Sequence, residues 1–161
     1  MSFTRRNAWV GGLIYAAGDS IATLISDEFL WQRLVGMLLL GGTLLAWEIP
    51  NYFAFIQRHF KSTGLQSSIR RMFAASLYFN PLWIARHLCF IKLFSGQWAL
   101  ISTDIWMLAS HSFIYGLPFS LLANYIIQNF IALKWRFTAS SLFSACMVIY
   151  YALSEVIFAA I

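Results

Sequence analysis

The chain has 161 residues, of which 60% are hydrophobic and only 11% charged, and its mean hydropathy is +0.69. Soluble domains carry roughly 25% charged residues, so this composition excludes a water-soluble globule. The net charge of +5 does not indicate a nucleic-acid partner, because the basic residues stand in short groups between apolar runs, the pattern of membrane topology. The sequence predicts an all-α, polytopic transmembrane helix bundle that forms one domain over residues 1–161, with membrane lipids as its partners.

Hydropathy predicts four to six helices, and the six-helix interpretation has these bounds: 8–26, 31–56, 72–94, 97–115, 117–134 and 138 to the C-terminus. The fourth and fifth helices come from a charge-free stretch, Ile105–Leu133, that is too long for one untilted span. Gly116-Leu117-Pro118 inside this stretch predicts the break between them.

Basic residues between the helices predict the orientation. Arg5, Arg6 and the basic loop 57–71 lie on the same side if the first two helices form a hairpin, so the N-terminus is predicted to face the cytosol or its matrix equivalent. Six helices would place Lys134 and Arg136 on the opposite side. Either the positive-inside rule then fails locally or one segment is re-entrant.

Equal spacings suggest a weak internal three-helix repeat. Gly11 precedes Asp19, and Gly96 precedes Asp104, by eight residues. Two further pairs are each sixteen residues apart: Asn51-Tyr52 with Ser67-Ser68, and Asn124-Tyr125 with Ser140-Ser141.

Four ionisable side chains fall within or beside apolar runs. An ionised side chain in hydrocarbon costs at least ~2.5–3.5 kcal/mol, so Asp19, Glu48, Arg86 and Asp104 should face protein or water. Asp19 is expected either to line a polar pathway or to bond a neighbouring helix, with Arg86 as one partner. Glu48, just before Pro50, either lines a cavity or lies at the membrane interface near the end of its helix.

Polar residues also recur on single helix faces. Asp104 has Gln97 and His111 seven residues to either side, and Ser120, Asn124 and Gln128 follow one another at a spacing of four. Such stripes line water or hold helices together through hydrogen bonds. The predicted pathway-lining residues are Asp19, Glu48, Arg86, Asp104, His111, Asn124 and Gln128.

Small residues predict close helix approach. Gly12, Ala16, Asp19 and Thr23 form one stripe on the first helix. The residues predicted to matter for helix packing are Gly12, Ala16, Gly18, Gly41, Gly42 and Pro118.

No motif of an enzyme is found, since the sequence has no His-Glu-x-x-His, Gly-x-Ser-x-Gly or Cys-x-x-Cys and no phosphate-binding glycine loop. The spacing of His59, His87 and His111 does not suggest a metal site. The two cysteines lie in apolar stretches, where a thiol behaves as a small hydrophobe. We therefore expect no enzymatic activity, no cofactor and no metal.

Short segments along most of the chain resemble one family. Gly18-Asp19 with Thr23 looks like a Gly-Asp-x-x-x-Gln segment, and Arg33 to Met37 followed by Gly41-Gly42 is similar to Arg-x-x-Arg-Met-x-x-x-Gly. Further similar segments are Tyr52-Phe53, Arg71-Met72, Phe79-Asn80-Pro81, Leu117-Pro118 with Asn124-Tyr125, and Leu153-Ser154. These segments resemble the peroxisomal and mitochondrial 22-kDa integral membrane protein family (Mpv-seventeen type). The resemblance implies a multi-helix protein of the mitochondrial inner or the peroxisomal membrane, with pore-like or metabolite-permeability roles.

A second, weaker resemblance is to the GtrA-type family of small four-helix proteins. Asn51-Tyr52 with Arg58-His59-Phe60-Lys61, and Lys134-Trp135-Arg136-Phe137, are similar to its helix ends. This resemblance implies a flippase for polyprenyl-phosphate-linked sugars in a bacterial inner membrane. Basic residues at the interface suit a lipid-linked phosphate.

Three functions are therefore expected from the sequence. The first is a small-solute pore or transporter-like protein with a polar intramembrane pathway, whose partners are small metabolites. The second is a flippase with a lipid-linked sugar as partner. The third is a structural membrane subunit whose polar stripes bind partner helices, and a homo-oligomer is compatible with all three.

Overall fold

The structure, a computed structural model, describes the backbone of residues 3–159 and the side chains of residues 3–150. All regular structure in these residues is helical, which confirms the predicted all-α class. The helices are α1 (Arg5–Ile25), α2 (Trp31–Leu40), α3 (Ala46–His59), α4 (Leu65–Tyr78), α5 (Pro81–Phe94), α6 (Asp104–Phe130) and α7 (Leu133–Ala159). A π-helical turn, Gly41–Leu45, joins α2 to α3 without a break, and a 3-10 turn, Trp98–Leu100, precedes α6.

Three helical segments are long and apolar enough to cross a membrane: Arg5–Ile25, Trp31–His59 and Asp104–Phe130. Each reaches the roughly 20 residues that a hydrocarbon core requires. Large apolar side chains lie exposed along them, among them Trp9, Leu13, Leu39, Ile114 and Leu122. Extended apolar surface of this kind is rare on soluble monomers, so these helices fit an integral membrane protein.

The chain divides into two compact units. Unit 1 comprises Met1–Ile49 and Phe137–Ile161, and unit 2 comprises Pro50–Arg136. In unit 1, α1 packs against α2 and against the π-helical turn. In unit 2, α4 and α5 both pack along α6. The single transmembrane domain expected from the sequence stays a prediction.

Two helices end in the same way. After α1, Asp27 adopts a φ of 54° and the Glu28 N–H donates to the Thr23 carbonyl at 2.8 Å. After α5, Gly96 has a φ of 70° and the Gln97 N–H donates to the Lys92 carbonyl at 2.9 Å. Both are Schellman motifs, in which a left-handed residue satisfies the last carbonyls of the helix. The first of them lets α2 turn back onto α1.

The predicted break at Gly116-Leu117-Pro118 is wrong. The structure has one helix, α6, from Asp104 to Phe130, with Pro118 inside it. A proline removes one backbone hydrogen bond, but a break would leave several more backbone groups unsatisfied in an apolar setting, so proline is tolerated in such helices.

The predicted helix over 72–94 is two helices, α4 and α5, interrupted at Phe79-Asn80. The Asn80 side chain accepts a hydrogen bond from the Trp83 N–H at 3.0 Å, and Pro81 occupies the first position of α5. Asparagine is among the best N-caps and proline is favoured just after the cap. Pro81 therefore begins a helix because a capping residue precedes it, whereas Pro118 has none.

The other helix bounds differ from the predictions by a few residues. α1 begins at Arg5, because Thr4 caps it by accepting from the Asn7 N–H at 3.1 Å. The second predicted helix continues to His59, and the last begins at Leu133. The first spacing of the suggested repeat is not matched in structure, since Gly11 and Asp19 lie in α1 whereas Gly96 to Asp104 is mostly loop.

Candidate functional site

A buried ion pair joins α1 to α2 in unit 1. The Arg33 guanidinium donates from Nε to Asp19 Oδ2 at 2.8 Å and from Nη2 to Oδ1 at 2.7 Å. Asp19 is 3% exposed and the Arg33 side chain 13%. The pairing of Asp19 with Arg86 is thus wrong, because the helical hairpin places Arg33 opposite the carboxylate. The bidentate geometry is that of the strongest charge-assisted hydrogen bonds, and it cancels both charges locally.

Glycines bring backbones into direct contact in unit 1. A Cβ atom on Gly41 would lie 2.6 Å from the Gly11 carbonyl oxygen, and one on Gly12 would lie 2.9 Å from that of Leu38. On Gly18 a Cβ would lie 2.6 Å from that of Ala145. Contacts this short leave no room for a side chain. Ala16, which lies on α1 with Gly12 and Gly18, is also buried.

The π-helical turn falls where this glycine contact occurs. Gly41 and Gly42 open the turn, and a Cβ on Gly42 would lie 3.1 Å from the carbonyl oxygen of Ala8 in α1. The Thr43 hydroxyl donates to the Leu39 carbonyl, one turn earlier, at 2.6 Å. The bulge therefore sits against α1 and is part of the packed seam of unit 1.

A second group of buried polar side chains lies between α4 and α6 in unit 2. The Asn124 amide donates to the hydroxyls of Ser76 and Ser120, both at 3.2 Å. Gln128, one turn further along α6, is 1% exposed. Its Nε2 is buried and has no hydrogen-bond partner among the residues that the structure describes. We call Ser76, Ser120, Asn124 and Gln128 the α6 polar seam.

The α6 polar seam ends at Arg136. This guanidinium is 6% exposed. Its Nη1 donates to Gln57 Oε1 at 2.8 Å and to Gln128 Oε1 at 3.1 Å, and its Nε donates to the Ile131 carbonyl at 2.9 Å. All of these acceptors are neutral oxygens.

Arg71, which is 7% exposed, lies in the same part of unit 2. Nε and Nη2 donate to Asn129 Oδ1 at 2.9 and 2.8 Å, and Nη2 also donates to the Ser68 hydroxyl at 3.1 Å. Nη1 donates to the carbonyls of Phe60 and Ser62 at 2.8 and 2.9 Å. These bonds use every N–H of the guanidinium. We call Arg71, Arg136, Gln57, Gln128 and Asn129 the arginine cluster.

The arginine cluster carries uncompensated positive charge. Neither guanidinium has a carboxylate partner within residues 3–150. Burial and the nearby charge of Arg71 lower the pKa of Arg136, which precedes the span predicted from residue 138. An arginine stays protonated despite such a shift, so two like charges persist side by side.

The two basic segments of unit 2 meet at this cluster. Arg71 of α4 bonds Asn129 near the end of α6, and Arg136 of α7 bonds Gln57 near the end of α3. The placement of Lys134 and Arg136 opposite the loop 57–71, which the six-helix interpretation would require, is therefore wrong. It followed from dividing α6 in two, and one continuous α6 returns the chain to the end where α4 began.

The polar face predicted from Gln97, Asp104 and His111 is wrong in part, since Asp104 and His111 both lie in α6 but Gln97 does not. Asp104 is exposed as the first residue of α6, where its Oδ2 accepts from the Ser102 hydroxyl at 3.2 Å. Gln97 precedes the 3-10 turn and accepts from Lys92 Nζ at 2.9 Å. His111 is exposed, with its ring 6.5 Å from that of Tyr115. The helical spacing fails because α6 begins only at Asp104.

Glu48 and Arg86 are both half-buried within helices. Glu48 lies inside the continuous helical segment Trp31–His59, so its placement near the end of that helix is wrong. Arg86 lies in the middle of α5, and Pro118 is on an exposed face of α6. Whether any of the predicted residues lines a pathway stays a prediction.

The site residues predicted from the sequence do not include Arg33, Arg71, Gln57 or Asn129, and Arg136 enters there only through orientation and resemblance. A signal for Arg33 was its position just beyond the turn that follows α1, opposite Asp19. A signal for the cluster was the presence of basic residues next to two helix ends. In the part of the chain that the structure describes, no three His, Cys, Asp or Glu residues are grouped so that they could hold a metal ion.

Comparison of the chain with family models, with curated proteins and with solved structures finds no match.

Proposed function

We propose that this chain is a polytopic integral membrane protein that lets small polar solutes cross the membrane, as a pore or transporter-like protein. The observation that supports it is the α6 polar seam, and above all the buried, unpartnered Nε2 of Gln128. The seam lies on a helix of membrane-spanning length whose other faces expose apolar side chains. Polar side chains in such helices commonly mark substrate pathways.

The hydrogen bonds of the α6 polar seam distinguish a solute pathway from simple helix packing. Asn124 is satisfied by Ser76 and Ser120, which alone would be a packing contact. Leaving a buried amide donor unpaired costs about 1–3 kcal/mol, and Gln128 carries that cost among the described residues. A water or solute hydroxyl that accepts from Nε2 would remove it. A solute that passes along the seam would exchange such bonds in turn.

The test is solute flux into liposomes that contain the purified protein, measured with small uncharged polyols of increasing size. We expect the wild-type protein to raise permeability above that of protein-free liposomes. Gln128→Leu and Asn124→Leu, which replace the amides by apolar groups of similar size, should each lower the flux by roughly tenfold, the equivalent of about 1.4 kcal/mol.

Ser110→Ala is the matched control, because the Ser110 hydroxyl donates only to the Trp106 carbonyl in its own helix. Its flux should equal that of the wild-type protein. Elution of each variant as the same single species shows that folding is retained. Equal flux with and without protein, or equal flux through all variants, would contradict the proposed pathway.

A second candidate function is a flippase for lipids with a phosphate-linked head group. The arginine cluster favours it, together with exposed basic residues beside it in sequence, Arg58, Lys61, Arg70 and Lys134. Basic groups at a membrane surface attract anionic head groups. Reconstituted protein should then accelerate the transfer of a fluorescent phosphate-bearing lipid between leaflets, and no acceleration would exclude it.

The two family resemblances lead to different membranes. Kinship with the peroxisomal and mitochondrial family would favour the solute pathway, and kinship with the GtrA-type family would favour the flippase. A fluorescent fusion of the full chain, imaged in its native cell, distinguishes an organelle membrane from a bacterial inner membrane.

A further inference from the structure

The arginine cluster has positive charge that its own residues do not neutralise. Arg71 and Arg136 are each more than nine-tenths buried, and every acceptor that they contact among the described side chains is neutral. An isolated buried charge is costly unless it is paired. The arrangement is explained if a negative charge that does not belong to this polypeptide balances it.

Two hydrogen-bond donors in the cluster are unused. Arg136 Nη2 donates to no residue in the described part of the chain, where the hydrogen bonds of this guanidinium all leave from Nε and Nη1. Gln128 Nε2 is buried and likewise without a partner there. These donors belong to side chains in direct contact, because Gln128 Oε1 accepts from Arg136 Nη1 at 3.1 Å. Arg71, whose N–H groups are all used, contributes charge alone.

The chemistry of these donors selects the ligand. The amide oxygens of Gln57 and Gln128 each accept a hydrogen bond from Arg136, and the groups of the cluster that are left without a partner are N–H donors beside positive charge. A guanidinium matches the spacing of phosphate oxygens. We propose that Arg136 and Gln128 form a binding site for a phosphate oxyanion, with Arg71 supplying a second positive charge.

The position of the cluster gives such an anion a route of entry. It lies at the ends of α3 and α6 and the beginnings of α4 and α7, beside loops. Exposed Arg58, Lys61, Arg70 and Lys134 neighbour it in sequence and raise the local concentration of anions. The oxyanion is either free phosphate or the phosphate monoester of a lipid head group.

The inference requires only the contacts of the arginine cluster and does not depend on solute transport. It is tested by the thermal unfolding of the full-length protein in neutral detergent, with inorganic phosphate or with chloride at matched ionic strength. A ligand that binds only the folded state raises Tm. At about a hundredfold excess over Kd we expect phosphate to raise Tm by roughly 5–10 °C.

Two variants locate the effect. Arg136→Gln should abolish the response to phosphate, whereas Arg5→Gln removes the same charge from an exposed position in unit 1 and should retain it. Gln128→Glu keeps a side chain of similar shape and places a carboxylate beside Arg136. This variant should have a higher Tm without phosphate and should respond little to it, so it tests the site even if Arg136→Gln does not fold.

The source of the oxyanion is resolved by the same measurement in nanodiscs. If phosphatidic acid raises Tm relative to phosphatidylcholine and inorganic phosphate does not, the ligand is a lipid phosphate monoester. If inorganic phosphate is sufficient, the site takes free phosphate.

Three outcomes would overturn the inference: equal Tm in phosphate and chloride together with no effect of phosphatidic acid, an unchanged response in Arg136→Gln, or a full response in Gln128→Glu. Polyol flux separates this inference from the proposed function. If the wild-type protein raises polyol flux but its Tm does not respond to phosphate, only the oxyanion site is contradicted. If its Tm responds to phosphate but the protein does not raise polyol flux, only the proposed transport is contradicted.

Discussion

Both units bury arginine, but they treat its charge differently. In unit 1, Arg33 meets the carboxylate of Asp19 in a bidentate pair. In unit 2, the described partners of Arg71 and Arg136 are all neutral oxygens. A guanidinium and a carboxylate form a pair with no net charge. A guanidinium surrounded by amides and carbonyls has hydrogen-bond acceptors, but its positive charge is not balanced.

This difference indicates different roles. The ion pair of unit 1 lies beside glycines that hold α1 against α2 and the π-helical turn, so its natural role is to fix that packing. The charge retained in unit 2 lies next to a buried donor without a partner among the described residues, and the proposed oxyanion site rests on this arrangement. Burial of a charged residue is therefore not by itself a sign of function. Whether an opposite charge lies beside it distinguishes a structural role from a binding role.

The largest effect is expected on breaking the unit 1 pair. Asp19→Leu leaves the Arg33 guanidinium, which is only partly exposed, without its carboxylate, and such a change costs about 3 kcal/mol, the lower end of the range for buried pairs. The free energy of unfolding, measured in mixed detergent micelles, should fall by that amount. The double variant Asp19→Leu/Arg33→Leu should lose much less, because removing both charges leaves none uncompensated.

Arg58→Gln provides the control for this prediction, since Arg58 is exposed and its replacement should change stability by no more than about 0.5 kcal/mol. If the single and double variants were equally destabilised, the packing of Asp19 and not its charge would matter. The proposed difference between the two units, a cancelled charge in unit 1 and a retained charge in unit 2, would then not explain the role of Asp19.

A smaller effect is expected from the glycine contact of unit 1. Gly41→Ala places a Cβ 2.6 Å from the backbone carbonyl oxygen of Gly11, which cannot rotate away. Forcing extra atoms into a packed contact costs about 1–3 kcal/mol. Gly64→Ala is the comparison in unit 2, where the nearest atom is a side-chain oxygen 3.8 Å away and the only expected cost, under about 1 kcal/mol, comes from alanine at the N-cap of α4. Comparable unfolding of both variants would show that the close approach of α1 is not needed.

The smallest effect is expected where unit 2 is interrupted. Asn80→Ala removes the side chain that caps α5 at the Trp83 N–H and should cost about 1 kcal/mol. Asn80→Asp and Asn80→Ser, which retain a capping oxygen, should restore most of it. The measurement is again equilibrium unfolding. No loss in Asn80→Ala would mean that Pro81 alone separates α4 from α5.

Much of the fold could be predicted from the composition. With so few charged residues the chain must satisfy its backbone groups internally, and helices do this within one segment. The helical class and the helices near 8–26 and 31–56 follow from this. The bounds were less predictable, because capping by Thr4 and Asn80 depends on single side chains that hydropathy averages out.

The prolines show the limit of local rules. Pro118 predicts a break and Pro81 does not stand out in hydropathy, yet α6 continues through the first and α5 begins at the second. Whether a helix continues through a proline depends on the full set of backbone hydrogen bonds on either side of it, which the type of a single residue does not reveal.

The sequence by itself therefore determined the helical class and the polar side chains that must avoid lipid, because both follow from the cost of exposing polar groups to hydrocarbon. Only the tertiary structure decided which of them meet. Asp19 and Arg33 are 14 residues apart and Arg71 and Asn129 are 58 apart, and no local periodicity relates such positions. Helix pairing sets these contacts, and with them whether a buried charge is cancelled or retained.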